Sequence, residues 1–217
     1  MSLKKSNWKK TPNIFRWRGV AGFKVPTDVF KGLKNACEKA RRKKKTVDPY
    51  LVGHIKEEYD INDISPKFEK FLLKCVDSAE FENYRKSLTH LSENRPLYIH
   101  ELWVNYTKKH EFFPPHKHSG VFSFIVFINI PYDLKEEENY FVSTGLKAYG
   151  PGFHYTSKLA FHNTSANGEI TCELVDVDKE FESKIIMFPA AQVHQVFPFF
   201  TSDGYRITVS GNLRLKV

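Results

Sequence analysis

The chain lacks the cysteine content that would indicate a disulfide-stabilised or zinc-knuckle protein. Its 217 residues include only three cysteines, Cys37, Cys75 and Cys172, an odd number without paired metal-ligand spacing. A disulfide framework and a zinc knuckle are therefore both unsupported, and we expect buried free thiols.

The sequence also lacks an apolar segment of membrane-spanning length. Its longest apolar run, 121–131, is about half of the roughly 20 residues that a membrane helix needs. No charged-then-apolar leader with a small-residue cleavage site opens the chain, and no internal repeat is present. We therefore expect a cytoplasmic protein that does not associate with membranes.

Aromatic residues, by contrast, are abundant. They make up 15% of the chain, within a hydrophobic content of 41%. Such a composition excludes a disordered chain and suits broad sheet faces that pack against each other. The length is enough to bury a sizeable core, and we predict one domain over residues 1–217.

The positive charge is concentrated at one end. Residues 1–50 carry 15 lysines and arginines against 3 acids, whereas the rest of the chain is mildly acidic. The sharpest feature is the run Arg41–Lys45. A basic segment can steer a protein toward nucleic acid, but we favour a solvated helix end here and regard a nucleic-acid partner as the weaker reading.

Hydrophobic periodicity divides the chain into a helical part and a β part. Spacings of three and four residues predict a helix after Pro26, capped by Thr27 or Asp28, and a second over about 66–91 that starts at Ser65-Pro66. After Pro96 the period becomes two. The predicted architecture is mainly β, with a basic tail and supporting helices in 1–95 and a double-stranded β-helix core, a cupin-like jelly roll, in 96–217.

Within the β part, the strand 97–106 alternates and directs Asn105 to one face together with Ile99, Glu101 and Trp103. The run 121–130 is apolar on both faces, as in a central strand. Further strands are predicted near 169–177, 185–188 and 205–215. The segment 140–168 is predicted to be a long loop that acts either as a lid or as an inert excursion.

Two histidines, His116 and His118, lie at the entry to the central strand. Alternation along the strand points both imidazoles the same way, toward adjacent positions around a first-row metal. His194 lies near the C-terminus, and Arg206 follows twelve residues later within an apolar strand. A buried arginine there suits a carboxylate ligand, because its planar fork binds a carboxylate through two hydrogen bonds.

Each of these residues also has a purely structural explanation. One imidazole of the His116/His118 pair could pack beneath aromatic rings while the other faces solvent, and His194 could be a core residue. Arg206 could form an internal salt bridge with an acidic side chain, since a buried charge needs an anion.

The chain resembles the 2-oxoglutarate and Fe(II)-dependent oxygenases, specifically those of marine phages and bacteria with an H-x-H-S-G segment. The segment 51–59 also resembles the family. The remaining resemblance rests on three motifs: Trp103-x-Asn105-x(10)-His116-x-His118-Ser119-Gly120, Phe188-Pro189-x(4)-His194, and Tyr205-Arg206-x-Thr208-x-Ser210-Gly211-Asn212.

The resemblance implies that His116 and His194 bind iron and that His118 takes the place usually held by Asp or Glu. Arg206 and Thr208 would bind the distal carboxylate of 2-oxoglutarate, with Asn105 touching the same co-substrate. Glu111 and Asp133 flank the motif as replacement carboxylates, but we favour three histidines. The implied reaction is hydroxylation of an unknown small molecule or peptidyl residue, with ascorbate as an additional reductant and a homodimer as the expected assembly.

Two other functions stay open at this point. A cupin-like protein could use the same three histidines without a keto acid. Alternatively, a non-catalytic protein could bind nucleic acid through its basic segment while the sheets serve as a scaffold.

Overall fold

Two antiparallel sheets form the body of the protein. The computed structural model describes residues 16–17, 19–44, 52–78, 81–82, 84–85, 96–145 and 155–216. A seven-stranded sheet contains, from edge to edge, β1 Arg16–Trp17, β2 Val20–Lys24, β9 Lys184–Pro189, β6 Phe122–Asn129, β11 Arg206–Leu215, β4 Leu97–Thr107 and β3 Glu57–Asp60. A four-stranded sheet contains β5 Phe113–His116, β10 His194–Val196, β7 Lys158–Thr164 and β8 Ile170–Asp176. The predicted mainly-β jelly roll is confirmed.

The two sheets pack face to face through apolar side chains. Phe127 and Phe188 of the larger sheet share one buried cluster with Leu159 and Val175 of the smaller sheet. This packing leaves a pocket open at one end of the roll, between the polar inner positions of β4 and β11 and the histidine-bearing strands β5 and β10.

Helices cover the outer face of the larger sheet. Helix α1 spans Thr27–Lys43 and α2 spans Pro66–Val76. Their buried residues form a second cluster with Val104, Phe124 and Val126 from the central strands. The sheet is therefore buried on both faces, which explains why β6 is apolar at nearly every position.

The helix α3, Leu134–Ser143, was not predicted, and Asp133 is its N-cap residue. The carboxylate of Asp133 accepts hydrogen bonds from the backbone N–H groups of Lys135, at 2.9 Å, and Glu136, at 3.3 Å. Asp133 is thus a helix cap. No helix in the described part of the chain is long and apolar enough to cross a membrane.

The prediction of a long loop over 140–168 is wrong at both ends. Its first residues belong to α3, and β7 occupies 158–164, so His162 lies on a strand. Residues 146–154, including His154, lie outside the described residues, and the lid stays a prediction. Short strands bounded by polar residues give a weak periodic signal, which is why β7 escaped notice.

Two helix predictions also need correction. Helix α1 starts at Thr27, but its N-cap is Pro26 and neither Thr27 nor Asp28 caps it with a side chain. Helix α2 starts after Ser65 with proline at its first turn, as predicted, but ends at Val76. Residues 86–91 of the predicted second helix lie outside the described residues, as does the basic tail over its first dozen residues.

The alternation of β4 shifts by one residue near its start. Trp103 and Asn105 face the pocket as predicted, but Ile99 packs beneath the helices with Leu102. The register between β4 and β11 shifts between Asn212 and Leu213, so one extra residue of β4 is accommodated there. The prediction that Ile99 shares a face with Trp103 is therefore wrong.

The basic run and the cysteines behave largely as expected. Helix α1 ends within the run, where Lys44 is left-handed with φ 49°. Arg41, however, folds back onto the body, with its guanidinium 4.5 Å from the ring centre of Tyr106 and an ion pair to Glu57 at 3.0 Å.

Cys37 and Cys75 are buried free thiols, whereas Cys172 is only half-buried.

A fully buried carboxylate anchors α3 to the loop before β11. Glu137 accepts hydrogen bonds from the hydroxyl of Thr156 at 2.5 Å, the backbone N–H of Phe200 at 3.0 Å, and the backbone N–H and hydroxyl of Thr201 at 2.7 and 2.6 Å. The loop 197–201 precedes Arg206, the first residue of β11. Glu137 therefore fixes the position of the segment that leads into β11.

Replacing Glu137 by glutamine should lower the free energy of unfolding by about 2–4 kcal/mol. The amide would present N–H groups to backbone N–H groups that need an acceptor, and breaking a buried charged network is costly. Urea unfolding measures the change. The control is Glu136→Gln, an exposed neighbour on the same helix; equal stability of the two variants would contradict the anchoring role.

Candidate metal centre

Three imidazoles converge at the open end of the roll. His116 ends β5 and His194 begins β10, and the two are directly paired across the small sheet. His118 follows in the turn that leads into β6. One nitrogen of each ring can be chosen so that all three lie within 4.8 Å of one another. This is a geometry in which one divalent ion can contact all three.

The mechanism that positions His118 differs from the prediction. Strand β5 ends at His116, so alternation along a strand does not orient His118. Instead its backbone N–H donates to the carbonyl of Ala190 at 2.9 Å, next to the end of β9. A contact distant in sequence therefore supplies the orientation that we had attributed to local periodicity.

Backbone carbonyls hold two of the rings in a defined orientation. The Nδ1 atom of His116 lies 2.7 Å from the oxygen of Pro114, and that of His194 lies 3.0 Å from the oxygen of Gln192. A carbonyl accepts only from a protonated nitrogen, so Nε2 carries the lone pair in both rings. Such carbonyl partners commonly orient metal-binding histidines.

Burial keeps the three imidazoles neutral. It lowers the pKa of His118 to about 4, and it also lowers the pKa values of His116 and His194. Repulsion from neighbouring imidazoles lowers the pKa values of His118 and His194 further. Aromatic rings contribute to the burial: Trp103 lies 5.7 Å from His118 and Phe188 lies 4.6 Å from His194, between ring centres.

Arg206 brings a buried positive charge into the same pocket. Its exposure is only 2%, and its Nη1 donates to the carbonyl of Phe197 at 3.1 Å. Among the described residues its Nη2 has no partner in hydrogen-bonding geometry, although the Tyr132 hydroxyl is near enough to interact with the guanidinium, and no acidic side chain forms an ion pair with it. The alternative of an internal salt bridge therefore has no support within these ranges, and the guanidinium is available to an anion.

A polar row crosses the pocket wall beside Arg206. Asn105 and Thr208 are paired across β4 and β11. The Nδ2 of Asn105 donates to the hydroxyls of Thr208 at 3.2 Å and Ser210 at 3.3 Å. Each of these residues is at most 9% exposed, and their oxygens and hydroxyls add hydrogen-bonding capacity next to the guanidinium.

One pocket of about 680 Å³, counting its open mouth, collects all of the predicted site residues. These are His116, His118, His194, Arg206, Thr208 and Asn105. The pocket therefore places a candidate metal site and a candidate anion site within one space.

Sequence reasoning missed several lining residues, of which Glu58 is the most informative. Glu58 lies on the short edge strand β3, and Val52 and Phe113 line the pocket with it. Residues 51–59 resemble the family, but a four-residue strand contains too few alternations to show which acid points inward.

The two candidate replacement carboxylates, Asp133 and Glu111, accept hydrogen bonds from nearby backbone N–H groups. Asp133 caps α3, and Glu111 accepts from the backbone N–H of Lys108 at 2.8 Å. Neither belongs to the group of three histidines that can hold a metal, and among the described residues no carboxylate joins that group. The preference for three histidines over these carboxylates is consistent with this geometry.

The fold and the pocket together define a class, a jelly-roll protein in which three histidines that could hold a metal share one pocket with a buried arginine. A family model described as "Putative 2OG-Fe(II) oxygenase" matches residues 101–212, just over half of the chain. The chain belongs to this family and is a 2-oxoglutarate-dependent oxygenase, an oxidoreductase. Its metal and co-substrate are therefore Fe(II) and 2-oxoglutarate.

Solved structures share the fold at low sequence identity. A Pseudomonas putida prolyl-4-hydroxylase is 12% identical, with a TM-score of 0.51, and the match covers 92% of this chain and 94% of that chain. A protein described as OsALKBH1 is 9% identical, with a TM-score of 0.54 and coverage of 91% and 99%. A Trichoplax adhaerens prolyl hydroxylase, solved with a hypoxia inducible factor peptide fragment, is 11% identical, with a TM-score of 0.50 and coverage of 91% and 83%.

At these identities the similarity concerns the fold alone. No curated protein sequence matches the chain. The H-x-H-S-G segment as a family signature and the marine phage or bacterial origin are not supported by these matches.

We expect the metal-free protein to lose stability as the pH falls from 7 to 5. Histidines in an unfolded chain titrate near pH 6.5, whereas burial lowers the pKa of folded His118 to about 4. Below pH 6.5 the unfolded state therefore binds more protons, and the free energy of unfolding falls until the folded imidazoles also titrate. Urea unfolding at pH 5, 6 and 7 measures this slope.

The contribution of His118 is isolated by a matched variant, because carboxylates titrate in the same range. His118→Asn removes the imidazole and should give a shallower loss of stability between pH 7 and 5. Identical slopes in the two proteins would show that the neutral, buried state of His118 is wrongly assigned.

Proposed function

We propose that the chain oxidises a substrate C–H bond with formation of succinate and CO2. His116, His118 and His194 bind Fe(II), and Arg206, Thr208 and Asn105 bind 2-oxoglutarate. The observation that carries this proposal is the buried guanidinium of Arg206, whose Nη2 has no hydrogen bond to any described residue, in the same pocket as three convergent neutral imidazoles.

Each of these side chains has a distinct task. The Nε2 atoms of His116 and His194 face the metal because their Nδ1 atoms donate to carbonyls. Arg206 supplies a charged hydrogen-bond donor for the distal carboxylate of the co-substrate. Asn105 fixes the hydroxyl of Thr208 beside that donor and provides further polar contact.

When bound, iron and 2-oxoglutarate supply the O2-derived oxidant that the reaction requires. The protein supplies orientation and a space from which water is excluded. Trp103, Phe161 and Phe188 surround the imidazoles, and Phe199 lies beneath the guanidinium, 5.4 Å from its carbon to the ring centre. These rings lower the local polarity and so strengthen the charge interactions of Arg206.

The family membership decides against the cupin-like alternative without a keto acid. A nucleic-acid partner for residues 1–50 stays a prediction, and Arg41 is already engaged by Glu57 and two tyrosine rings. The homodimer, the use of ascorbate and the single domain over 1–217 also stay predictions.

Removal of the Arg206 guanidinium should weaken 2-oxoglutarate binding on the order of 100-fold in an Arg206→Ala variant. Losing one partner of a buried, hydrogen-bonded charge pair costs ~3 kcal/mol, which corresponds to that factor. The measurement is an anaerobic titration of Fe(II)-loaded protein with 2-oxoglutarate, followed by the visible absorption band of the chelated keto acid. Succinate formation with O2 is then quantified.

The matched control is Arg42→Ala, which removes the same charge from a side chain that is 79% exposed. This control should titrate like the wild type. Unchanged co-substrate affinity in Arg206→Ala would exclude Arg206 as the carboxylate site, and iron binding without any band in the wild type would overturn the proposed function.

Loss of one imidazole should release the metal. His194→Ala is expected to retain less than a tenth of the iron of the wild type after anaerobic desalting, because two remaining ligands bind a divalent ion weakly. The exposed His100 of β4 provides the control variant, His100→Ala, which should retain full iron.

His118→Asp should also retain iron, since a carboxylate is the usual third ligand in this superfamily. Iron loss in that variant would show that the third position does not tolerate a carboxylate.

A further inference from the structure

Glu58 occupies a position on the pocket wall to which no role is yet assigned. It lies on β3, directly opposite Asn105 of β4, and paired residues on neighbouring strands share a face of the sheet. Asn105 faces the pocket, so Glu58 does too, and both line it. Val52, which is 41% exposed, also lines the pocket, and Glu58 itself is only half-buried.

The neighbouring acid of the same strand shows how a structural glutamate is satisfied in this region. Glu57 points to the opposite face and accepts hydrogen bonds from Arg41 at 3.0 Å and from the hydroxyls of Tyr59 and Tyr205. Glu58, in contrast, has no hydrogen bond or ion pair with any residue that the structure describes. Two adjacent glutamates thus have opposite environments, one fully paired and one unpaired.

The carboxyl of Glu58 is also partly shielded from water. Burial and the nearby charge of Asp60 raise its pKa to about 7. An unpaired carboxyl in such an environment is unfavourable when charged. A cation bound beside it would remove that penalty, which makes the position suited to a ligand rather than to the free protein.

Neither iron nor 2-oxoglutarate explains this carboxyl. The group that can hold the metal consists of histidines alone, and 2-oxoglutarate is a dianion that a carboxylate would repel. The remaining occupant of the pocket is the substrate. Trp103 and Phe113 line the same pocket, and aromatic faces attract organic cations.

We propose that Glu58 is the specificity-determining residue of the pocket and receives a positively charged nitrogen of the substrate, an ammonium or guanidinium group. The nitrogen enters past Val52 and Phe113 and pairs with the carboxylate, while the reacting carbon lies toward the metal. This inference rests on the proposed function and adds the chemical class of its substrate.

The test compares cationic probes with neutral probes of similar size. Isothermal titration calorimetry is carried out anaerobically on protein loaded with Fe(II) and 2-oxoglutarate. The peptidyl pairs are N-acetyl-lysine amide against N-acetyl-norleucine amide and N-acetyl-arginine amide against N-acetyl-citrulline amide; the small-molecule pair is butylammonium against 1-butanol. In the wild type, at least one cation should bind about tenfold more tightly than its neutral partner, and the pair that discriminates identifies the source of the nitrogen.

Glu58→Gln should reduce that preference to less than threefold while leaving the 2-oxoglutarate absorption band and the thermal midpoint unchanged. The size of the side chain is retained and no bond to a described residue is lost, so the variant is expected to fold. Glu136→Gln removes the same charge from an exposed site and should keep the full preference for the cation.

Three results would overturn the inference. Neutral probes could bind the wild type as tightly as every cation, the preference could persist in Glu58→Gln, or Glu58→Gln could lose the absorption band, which would assign the carboxylate to the metal centre. Absence of the band in the wild type instead overturns the proposed function, so the two failures are distinguishable.

Discussion

The loop that connects β10 to β11 is held between two buried charges of opposite sign, and the geometry of the pocket depends on this arrangement. The guanidinium of Arg206 donates to the carbonyl of Phe197, while the carboxylate of Glu137 accepts from the backbone of Phe200 and Thr201. Glu137 is satisfied by protein donors alone. Arg206 is satisfied only in part, so the positive charge of the pair remains available to a ligand.

This asymmetry gives the pocket its electrostatic character. Three neutral imidazoles leave a bound divalent ion one charge more positive than the usual set of two histidines and a carboxylate would. In the proposed site Arg206 would offset one of the two carboxylates of the co-substrate, and the acid among the described lining residues is Glu58. With three histidines as the proposed ligands, the negative charge that the ligand set lacks is carried instead by a residue of the pocket wall.

Sequence patterns predicted the features of β6, Arg206 and Asn105, because each of these predictions depends on the residues of one segment alone. The apolar run of β6 predicted a strand buried on both faces, and the isolated charge of Arg206 among apolar neighbours indicated an anion partner. The position of Asn105 on the inner face followed from alternation in β4. In contrast, the direction of Ile99 was mispredicted, because a register shift against β11 depends on the partner strand.

The sequence by itself therefore determined the fold class and six of the residues that line the pocket, since periodicity and motifs are properties of single segments, and its motifs carried the resemblance to the oxygenase family. Tertiary structure alone decided which of these residues meet. His194 lies opposite His116 because β5 and β10 pair, and His118 is oriented by the carbonyl of Ala190. Tertiary structure also decided that Glu57 and Glu58 have different environments. Glu57 contacts Arg41 and Glu58 lines the pocket, because the register of β3 against β4 determines which face of the sheet each side chain occupies.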